Sequence, residues 1–115
     1  MLKENVLSGK RNFDRVYKKG KSTAHKYVVV FFKENGLSYG RVAFLASKKV
    51  GNAVTRNRAR RLMKESVRLS DINFTGFDVI FIARNTIKKE TKCEDVRRSL
   101  LSAVKKTAIA KNRRW

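Results

Sequence analysis

The residues of this sequence best suited to chemistry are cations, crowded into the middle of the chain. Lys48 and Lys49 stand in a short loop that ends at Gly51, and arginines and lysines then recur along a predicted helix. Arginine presents a planar fork of donors to a phosphate group, and lysine supplies a mobile point charge. Asn52 and Asn57 can donate to and accept from base edges or sugar hydroxyls. The stretch therefore predicts a binding surface for a polyanion.

The predicted helix separates these cations from an apolar stripe. Asn52 is a favourable N-cap, because its side-chain oxygen can accept from the open amides of the first turn, and the helical pattern runs to about Ser70. The residues at the three/four spacing of a buried stripe are Ala59, Leu62, Met63, Ser66 and Val67. The cations that follow one another at i,i+4, with Asn57 and Arg61 beside them, are Arg56, Arg60, Lys64 and Arg68.

Such a ridge of cations does not stabilise its own helix. Like charges at i,i+4 repel each other by about 0.2–0.5 kcal/mol per pair. Glu65 is the one acid within the predicted helix. A contribution to the stability of the fold does not explain the ridge, whereas binding to an anionic partner would explain it.

Residue types that catalyse hydrolysis are scarce and scattered. Among the nine acids only Glu94 and Asp95 adjoin, and neighbours on a helix point in different directions. One histidine, His25, and one cysteine, Cys93, do not make a zinc site or an intramolecular disulfide. The chain also lacks a glycine-rich phosphate loop of the nucleotide-hydrolase type. We expect the polypeptide alone to bind a partner and to catalyse nothing.

The composition favours nucleic acid as that partner. The chain has 115 residues, enough for one small domain, and 29 basic against 9 acidic residues give a formal net charge of +20. Self-repulsion of this size works against the compact state and favours anionic partners. With 42 % apolar residues the chain can bury a core. Without a long apolar run or a secretory h-region, it is predicted to be cytoplasmic and independent of membranes.

Three runs of β-branched and aromatic residues predict strands. They lie at residues 26–33, 39–46 and 77–84. Glu34, Asn35 and Gly36 supply a turn between the first two, so residues 26–46 are interpreted as a hairpin. The second and third predicted strands flank the basic helix and could pair in parallel as a crossover unit.

Two further helices complete the predicted order. Ser8 is a candidate cap for a first short helix, and Gly20 is its predicted stop. A capping box from Thr91 to Glu94 opens a last helix, and residues 111–115 are predicted to fray. The order α-β-β-α-β-α predicts a single α+β domain, in which a small mixed sheet packs against helices.

Aromatic residues could serve single-stranded nucleic acid, because each base stacked on a ring contributes about 1–3 kcal/mol. Phe13 and Tyr17 stand four apart on the first predicted helix, and Phe31 lies on the first predicted strand. Both faces of that strand are apolar, so alternation does not show which face is core. Ordinary core packing is the alternative for all three.

Residues 47–62, with Arg56, Asn57 and Arg58 at their centre, closely resemble the signature of the bacterial ribonuclease P protein subunit. Residues 13–20, two aromatics four apart before a glycine, resemble the first-helix motif of that family. Residues 78–84 resemble its final strand. Size, charge and element order also fit, so the resemblance covers nearly the whole chain as one domain, residues 1–115.

The resemblance implies a division of labour between protein and RNA. In that family a large catalytic RNA holds the magnesium ions and hydrolyses a phosphodiester of precursor tRNA, which removes the 5′ leader. The protein itself would bind no cofactor; it would steady the RNA and grip the leader. The implied fold is like that of a ribosomal protein domain, with a left-handed crossover between parallel strands.

The resemblance also implies roles for individual residues. Those that match the loop and helix facing the catalytic RNA and the precursor tRNA are Lys48, Lys49, Asn52, Arg56, Asn57, Arg58, Arg60, Arg61, Lys64 and Arg68, the last a weaker match. Those that match the leader-binding cleft, and are therefore expected to be partly exposed, are Phe13, Tyr17 and Phe31. A second orientation is open for Arg58: it lies about 200° from Arg56 around the helix, so its side chain could point toward the protein instead.

Other classes stay open at the level of sequence. A structural ribosomal protein would have the same charge and fold type, and it would co-sediment with ribosomes without affecting leader cleavage. A DNA-binding module is less well supported, since the basic helix lacks a helix-turn-helix partner or dimer heptads. A stand-alone nuclease lacks ligands for a metal.

Overall fold

A four-stranded mixed sheet carries three helices in the computed structural model, which describes residues 5–112. The elements in chain order are α1 (Lys10–Lys19), β1 (Lys21–Ala24), β2 (Val28–Glu34), β3 (Arg41–Leu45), α2 (Ala53–Ser70), β4 (Phe77–Ala83) and α3 (Cys93–Lys105), followed by a 3-10 turn (Ala108–Lys111). The predicted class, a small α+β domain with a mixed sheet, is confirmed.

The sheet order is β1-β2-β4-β3, so β4 lies between the two strands predicted to form a hairpin. β2 pairs with β4 antiparallel, from Val28 opposite Ala83 to Glu34 opposite Phe77. The hairpin prediction for residues 26–46 was therefore wrong. β4 is buried at every position except Ile82, and the centre of a sheet is where an almost wholly apolar strand pairs on both sides.

Strand β1 was not predicted. Its sequence, Lys-Ser-Thr-Ala, has no apolar alternation, and most of it is exposed. It forms because it follows α1 directly and pairs antiparallel with β2, with Lys21 opposite Phe32 and Ala24 opposite Val29. Tertiary pairing outweighs the weak local preference of such an edge strand.

The predicted parallel pairing across the basic helix is confirmed. β3 and β4 run parallel, with Arg41 opposite Asp78 and Leu45 opposite Ile82, and α2 connects them. The left hand implied for this crossover stays a prediction.

Each face of the sheet has its own core, because successive strand residues point to opposite faces. Helices α2 and α3 cover one face, where Met63, Phe81 and Leu100 are fully buried. Helix α1 covers the other face with a smaller cluster that includes Val16 and Ile80. The apolar character of both strand faces thus reflects two packed layers, and the larger layer fixes α2.

Of the predicted helix ends, the one on α2 is confirmed in full. The Asn52 side-chain oxygen accepts a hydrogen bond from the Thr55 amide at 2.9 Å, and α2 then runs to Ser70. Gly20 ends α1 as predicted, in an extended conformation; a Cβ there would lie 2.5 Å from the carbonyl oxygens of Phe32 and Val16. Glycine is required because α1 turns directly into the sheet.

The other two predicted caps were displaced by one residue. The N-cap of α1 is Gly9, with a φ of 88°, rather than Ser8. The N-cap of α3 is Lys92, whose amide donates to the Asp95 carboxylate at 3.2 Å. The Thr91 hydroxyl, expected to cap α3, instead accepts from the Lys88 amide at 2.9 Å.

The fraying predicted for residues 111–115 does not apply to residues 111 and 112. Ile109 is fully buried, and the Asn112 side-chain amide donates to the carbonyl oxygen of Thr75 at 2.8 Å. Residues 111 and 112 are therefore attached to the fold, and residues 113–115 lie outside the described residues.

An ion pair joins Arg41, the first residue of β3, to the buried Asp78, the second residue of β4. Asp78, 2 % exposed, accepts two hydrogen bonds from the Arg41 guanidinium, at 2.8 and 2.7 Å, and a third from the Asn35 side chain at 3.0 Å. The hydrogen bonds to Asp78 raise the pKa of Arg41. The pair holds β3 in register beside β4.

We expect Asp78→Ala to lower the free energy of unfolding by about 3 kcal/mol, because the Arg41 charge would lose its partner inside the fold. Urea denaturation followed by circular dichroism measures the change. The control is Asp14→Ala, which removes an exposed pair with Lys10 and should leave the unfolding midpoint unchanged. Equal shifts for the two variants would contradict a structural role for the buried pair.

Candidate nucleic-acid interface

With the exception of Arg68, the cations of α2 and its preceding loop lack carboxylate partners among the described residues. Within residues 5–112 the acids other than Glu65 that form ion pairs do so elsewhere, as Asp14 does with Lys10 and Glu94 with Arg97 and Arg98. The predicted site cations that make no ion pair among the described residues are Lys48, Lys49, Arg56, Arg58, Arg60, Arg61 and Lys64. Their charge is left for an external anion.

Arg68 differs from the rest of the ridge. Its guanidinium makes two hydrogen bonds to the Glu65 carboxylate one turn earlier on the exposed face of α2. This hydrogen bonding lowers the pKa of Glu65 and raises that of Arg68. Arg68 therefore presents a partly compensated charge, which suits its weaker match to the family motif.

The loop before α2 is a compact turn that holds two lysines at the start of the helix. The amides of Val50 and Gly51 donate to the carbonyl oxygens of Ser47 and Lys48, at 3.0 and 3.2 Å. Val50 is buried, whereas Lys48 and Lys49 are exposed. The lysines thus stand beside the open amides of the helix N-terminus, which also favour anions.

Two asparagines of the predicted site are already engaged by the protein. The Asn52 side-chain oxygen caps the helix, so its amide group is what it can offer to a ligand. The Asn57 side-chain oxygen accepts a hydrogen bond from the Arg60 guanidinium. This contact orients Arg60 on the exposed surface of α2.

Arg58 points away from the ridge, toward the protein. Its two terminal nitrogens donate to the carbonyl oxygens of Lys88 and Thr91, at 3.1 and 2.5 Å. Of the two orientations open at the level of sequence, the structure shows the inward one. These contacts engage the Arg58 guanidinium within the protein; the role of Arg58 as an RNA ligand, implied by the resemblance, stays a prediction.

A groove of about 820 Å³ runs along the exposed edge of the sheet. One wall is basic and comes from α2, where Arg60, Arg61 and Lys64 line it. The rest is largely apolar and includes Phe13, Phe44, Leu45 and the adjacent segment at Val6 and Leu7. A groove with a cationic wall and an apolar floor suits a single nucleic-acid strand.

Val54 is a site residue that sequence analysis missed. It lines this groove from the first turn of α2 and is 74 % exposed. The sequence did contain a signal for it, because Val54 is an apolar residue that lies outside the buried stripe of the basic helix. Leu45 and Phe44 were also missed. Both faces of β3 are apolar, so the alternation of residue types does not show which of its side chains line the groove.

The three predicted cleft aromatics form one cluster between α1 and the sheet. The rings of Phe13 and Tyr17 stack with centroids 6.4 Å apart, and Tyr17 meets Phe31 edge-on at 5.0 Å. Tyr17 is 39 % exposed and the two phenylalanines are partly buried. Burial raises the pKa of Tyr17. The expected partial exposure is confirmed.

Phe13 belongs to both features. It stacks on Tyr17 and it lines the groove whose other wall is basic. The fold therefore brings the aromatic cluster and the α2 cations, which are far apart in sequence, onto one continuous surface.

The described residues hold no group of three or more histidine, cysteine or acidic side chains that could bind a metal ion. The His25 ring hydrogen-bonds to the Ser99 hydroxyl at 3.1 Å. Cys93 lies against α2, with its sulfur 4.0 Å from the Leu62 carbonyl oxygen. Both residues serve packing between elements.

None of the helices within residues 5–112 is long and apolar enough to cross a membrane.

Comparison with known proteins places the chain in a family. The ribonuclease P family model matches residues 1–108. The ribonuclease P protein component of Thermoanaerobacter sp. strain X514 is 45 % identical over 111 residues, which cover 94 % of this chain and 95 % of the relative.

Solved structures show the same fold. The ribonuclease P protein of Thermotoga maritima superposes with a TM-score of 0.75 at 32 % identity, covering 84 % of this chain and 92 % of that one. A mutant Staphylococcus aureus ribonuclease P protein, described as defective in mRNA degradation activity, superposes with a TM-score of 0.80 at 33 % identity, covering 95 % and 90 %. Sequence and fold agree over nearly the whole length: the chain belongs to the ribonuclease P protein family, whose members are subunits of a ribonucleoprotein endonuclease that processes the 5′ ends of tRNA.

Proposed function

We propose that α2 and its preceding loop anchor this protein to the catalytic RNA of ribonuclease P and to precursor tRNA near the cleavage site. The aromatic cluster then receives the single-stranded 5′ leader. The observation that carries this proposal is the groove that joins cations without carboxylate partners to partly exposed aromatic rings.

The chemistry of this surface suits a strand of variable sequence. Leaders differ among tRNA genes, so their binder should hold the backbone and the faces of the bases rather than read base edges. Arg60, Arg61 and Lys64 supply phosphate contacts on one side of the groove. Phe13 supplies a ring on the other side, Tyr17 stacks on Phe13, and every base offers a face to stack.

Catalysis in this proposal belongs to the RNA, and so do the magnesium ions. The protein raises substrate affinity and lowers the magnesium requirement, because its cations offset repulsion between the phosphates of the two RNAs. This role places the protein in the cytoplasm, where precursor tRNAs are processed.

A second candidate activity comes from the Staphylococcus aureus relative, whose mutant is described as defective in mRNA degradation. The same basic groove could bind mRNA. A lane with mRNA and the protein alone therefore belongs in every cleavage assay.

Reconstitution tests the proposal directly. The purified chain is mixed with a bacterial ribonuclease P RNA and precursor tRNA at low magnesium, and the release of the 5′ leader is followed on a gel. We expect cleavage only when RNA and protein are both present. Cleavage of precursor tRNA by the protein alone would overturn the assignment of catalysis to the RNA, and no effect of the protein at any magnesium concentration would overturn the subunit role.

Truncation of the cleft aromatics should weaken leader binding selectively. Because a stacked base contributes about 1–3 kcal/mol, we expect Tyr17→Ala or Phe13→Ala to reduce holoenzyme affinity for leader-bearing tRNA by about tenfold. Affinity for mature tRNA, which has no leader, should not change. Equilibrium binding of fluorescently labelled tRNAs measures both.

Two control variants accompany this measurement. Tyr17→Phe keeps the ring and should keep the affinity. Tyr39→Ala removes another partly buried tyrosine that lines a separate groove, and it should show no preference between the two tRNAs. Equal losses on leader-bearing and mature tRNA for Tyr17→Ala would instead assign the ring to the core.

The free protein should gain stability from multivalent anions. Ligands of the native state add RT ln(1 + [L]/Kd), about 2.7 kcal/mol at one hundred times Kd, so sulfate should raise the thermal unfolding midpoint above that in chloride at equal ionic strength. Sulfate also stabilises proteins through exclusion from their surface. The control is therefore the triple variant Arg60→Gln, Arg61→Gln, Lys64→Gln, which should lose most of the gain; an undiminished gain would count against a phosphate-like site.

A further inference from the structure

The connection between β4 and α3 is an ordered turn. Within it the Thr91 amide donates to the Lys88 carbonyl oxygen at 3.1 Å, and the Lys88 amide donates to the Thr91 hydroxyl at 2.9 Å. Ile87 and Thr91 are buried at its two ends. The backbone of residues 88–91 is therefore held in one conformation.

Arg58 fastens this turn to α2. One terminal nitrogen of its guanidinium donates to the carbonyl oxygen of Lys88 and the other to that of Thr91, so the fork spans the first and last residues of the turn. Among the described residues no carboxylate pairs with Arg58. Its role is that of a clamp between two elements, which only the planar fork of arginine can fill.

The clamp presents two further cations beside the ridge. Lys88 and Lys89 are exposed, and neither makes an ion pair within residues 5–112. Arg58 lies about 60° around α2 from Arg61, an exposed cation beside the ridge. The turn thus lies next to the basic face of α2 and extends the basic surface.

We propose that Lys88 and Lys89 form a second arm of the RNA interface, which holds phosphates of an RNA backbone, and that Arg58 is a positioning residue for this arm. The inference rests on the function proposed above. The phosphates belong to either the catalytic RNA or the precursor tRNA, and separate binding measurements with each RNA distinguish the two sources.

The first test removes the two charges. For the double variant Lys88→Gln, Lys89→Gln, affinity for the RNA that supplies the phosphates should fall by about tenfold in moderate salt. The log–log dependence of affinity on salt should become shallower by about 1.8, since each phosphate contact on a duplex contributes about 0.9. Filter binding across a series of KCl concentrations gives both values for each RNA.

A charge-matched control is available on α3 and the residue after it. Lys105 and Lys106 are exposed, and they follow Ala103, whose carbonyl oxygen accepts from Thr23 in β1 at the opposite edge of the sheet from β3. The variant Lys105→Gln, Lys106→Gln should keep the affinity and slope of the unmodified chain. A slope that falls equally in both double variants would reflect net charge alone and would overturn the inference.

The second test separates positioning from direct contact. If Arg58 acts through the turn, Arg58→Ala should lose about as much affinity as the lysine double variant, and combining the substitutions should add little. Arg58→Lys, which keeps the charge without the fork, should behave like Arg58→Ala. Hydrogen exchange of the amides in residues 88–91 should accelerate in both variants.

The contrary outcomes are distinct. Additive losses, or full affinity in Arg58→Lys, would show that Arg58 touches RNA itself. Binding by the unmodified chain with an unchanged salt slope in the lysine double variant would overturn this inference and leave the proposed function intact. Failure of the unmodified chain to bind either RNA would overturn the proposed function.

Discussion

Strand β4 is the constraint on which the rest of the molecule depends. It pairs with β2 on one side and β3 on the other, and six of its seven residues are buried. A strand buried on both faces needs a layer of helices on each. Two helices cover one face, whereas the ten residues of α1 cover the other and bury only Val16 of their own. The incomplete layer leaves the rings of Phe13 and Tyr17 partly open, which is how the packing of the sheet produces a cleft.

The electrostatics follow a similar division. Acids are used to hold the fold, as Asp78 is between β3 and β4, or to pair on exposed turns of α1 and α3. The ridge on α2 keeps its charge except at Arg68, which pairs with Glu65. Repulsion between the cations of the ridge destabilises the fold, and a bound polyanion would offset this repulsion. The proposed affinity for RNA and the gain in stability expected from multivalent anions therefore follow from one charge distribution.

Local features were predictable because they depend on residues close together in sequence. The cap at Asn52, the buried stripe at Ala59 and Met63, and the separation of the ridge from that stripe depend on helix periodicity alone. The position of β4 between β2 and β3 was not predictable in this way. The short connection between β2 and β3 favours a hairpin, and only a comparison of how apolar each whole strand is shows which one belongs in the centre of the sheet. Strand β1 was not predicted for a related reason: its own residues have little preference for a strand, and pairing with β2 stabilises the extended conformation.

The sequence by itself determined which chemistry this protein can perform: a helix with cations on one side, too few groups to build a metal or nucleophile site, and a signature shared with one family. The tertiary structure alone decided which of these side chains lie next to one another. Phe13 joins the α2 groove because α1 and α2 both reach the edge formed by β3, and the Arg58 guanidinium turns inward because the carbonyl oxygens of Lys88 and Thr91 lie within its reach. Charge and periodicity are properties of neighbours along the chain, whereas these contacts join residues 30 or more positions apart and exist only once both cores have packed.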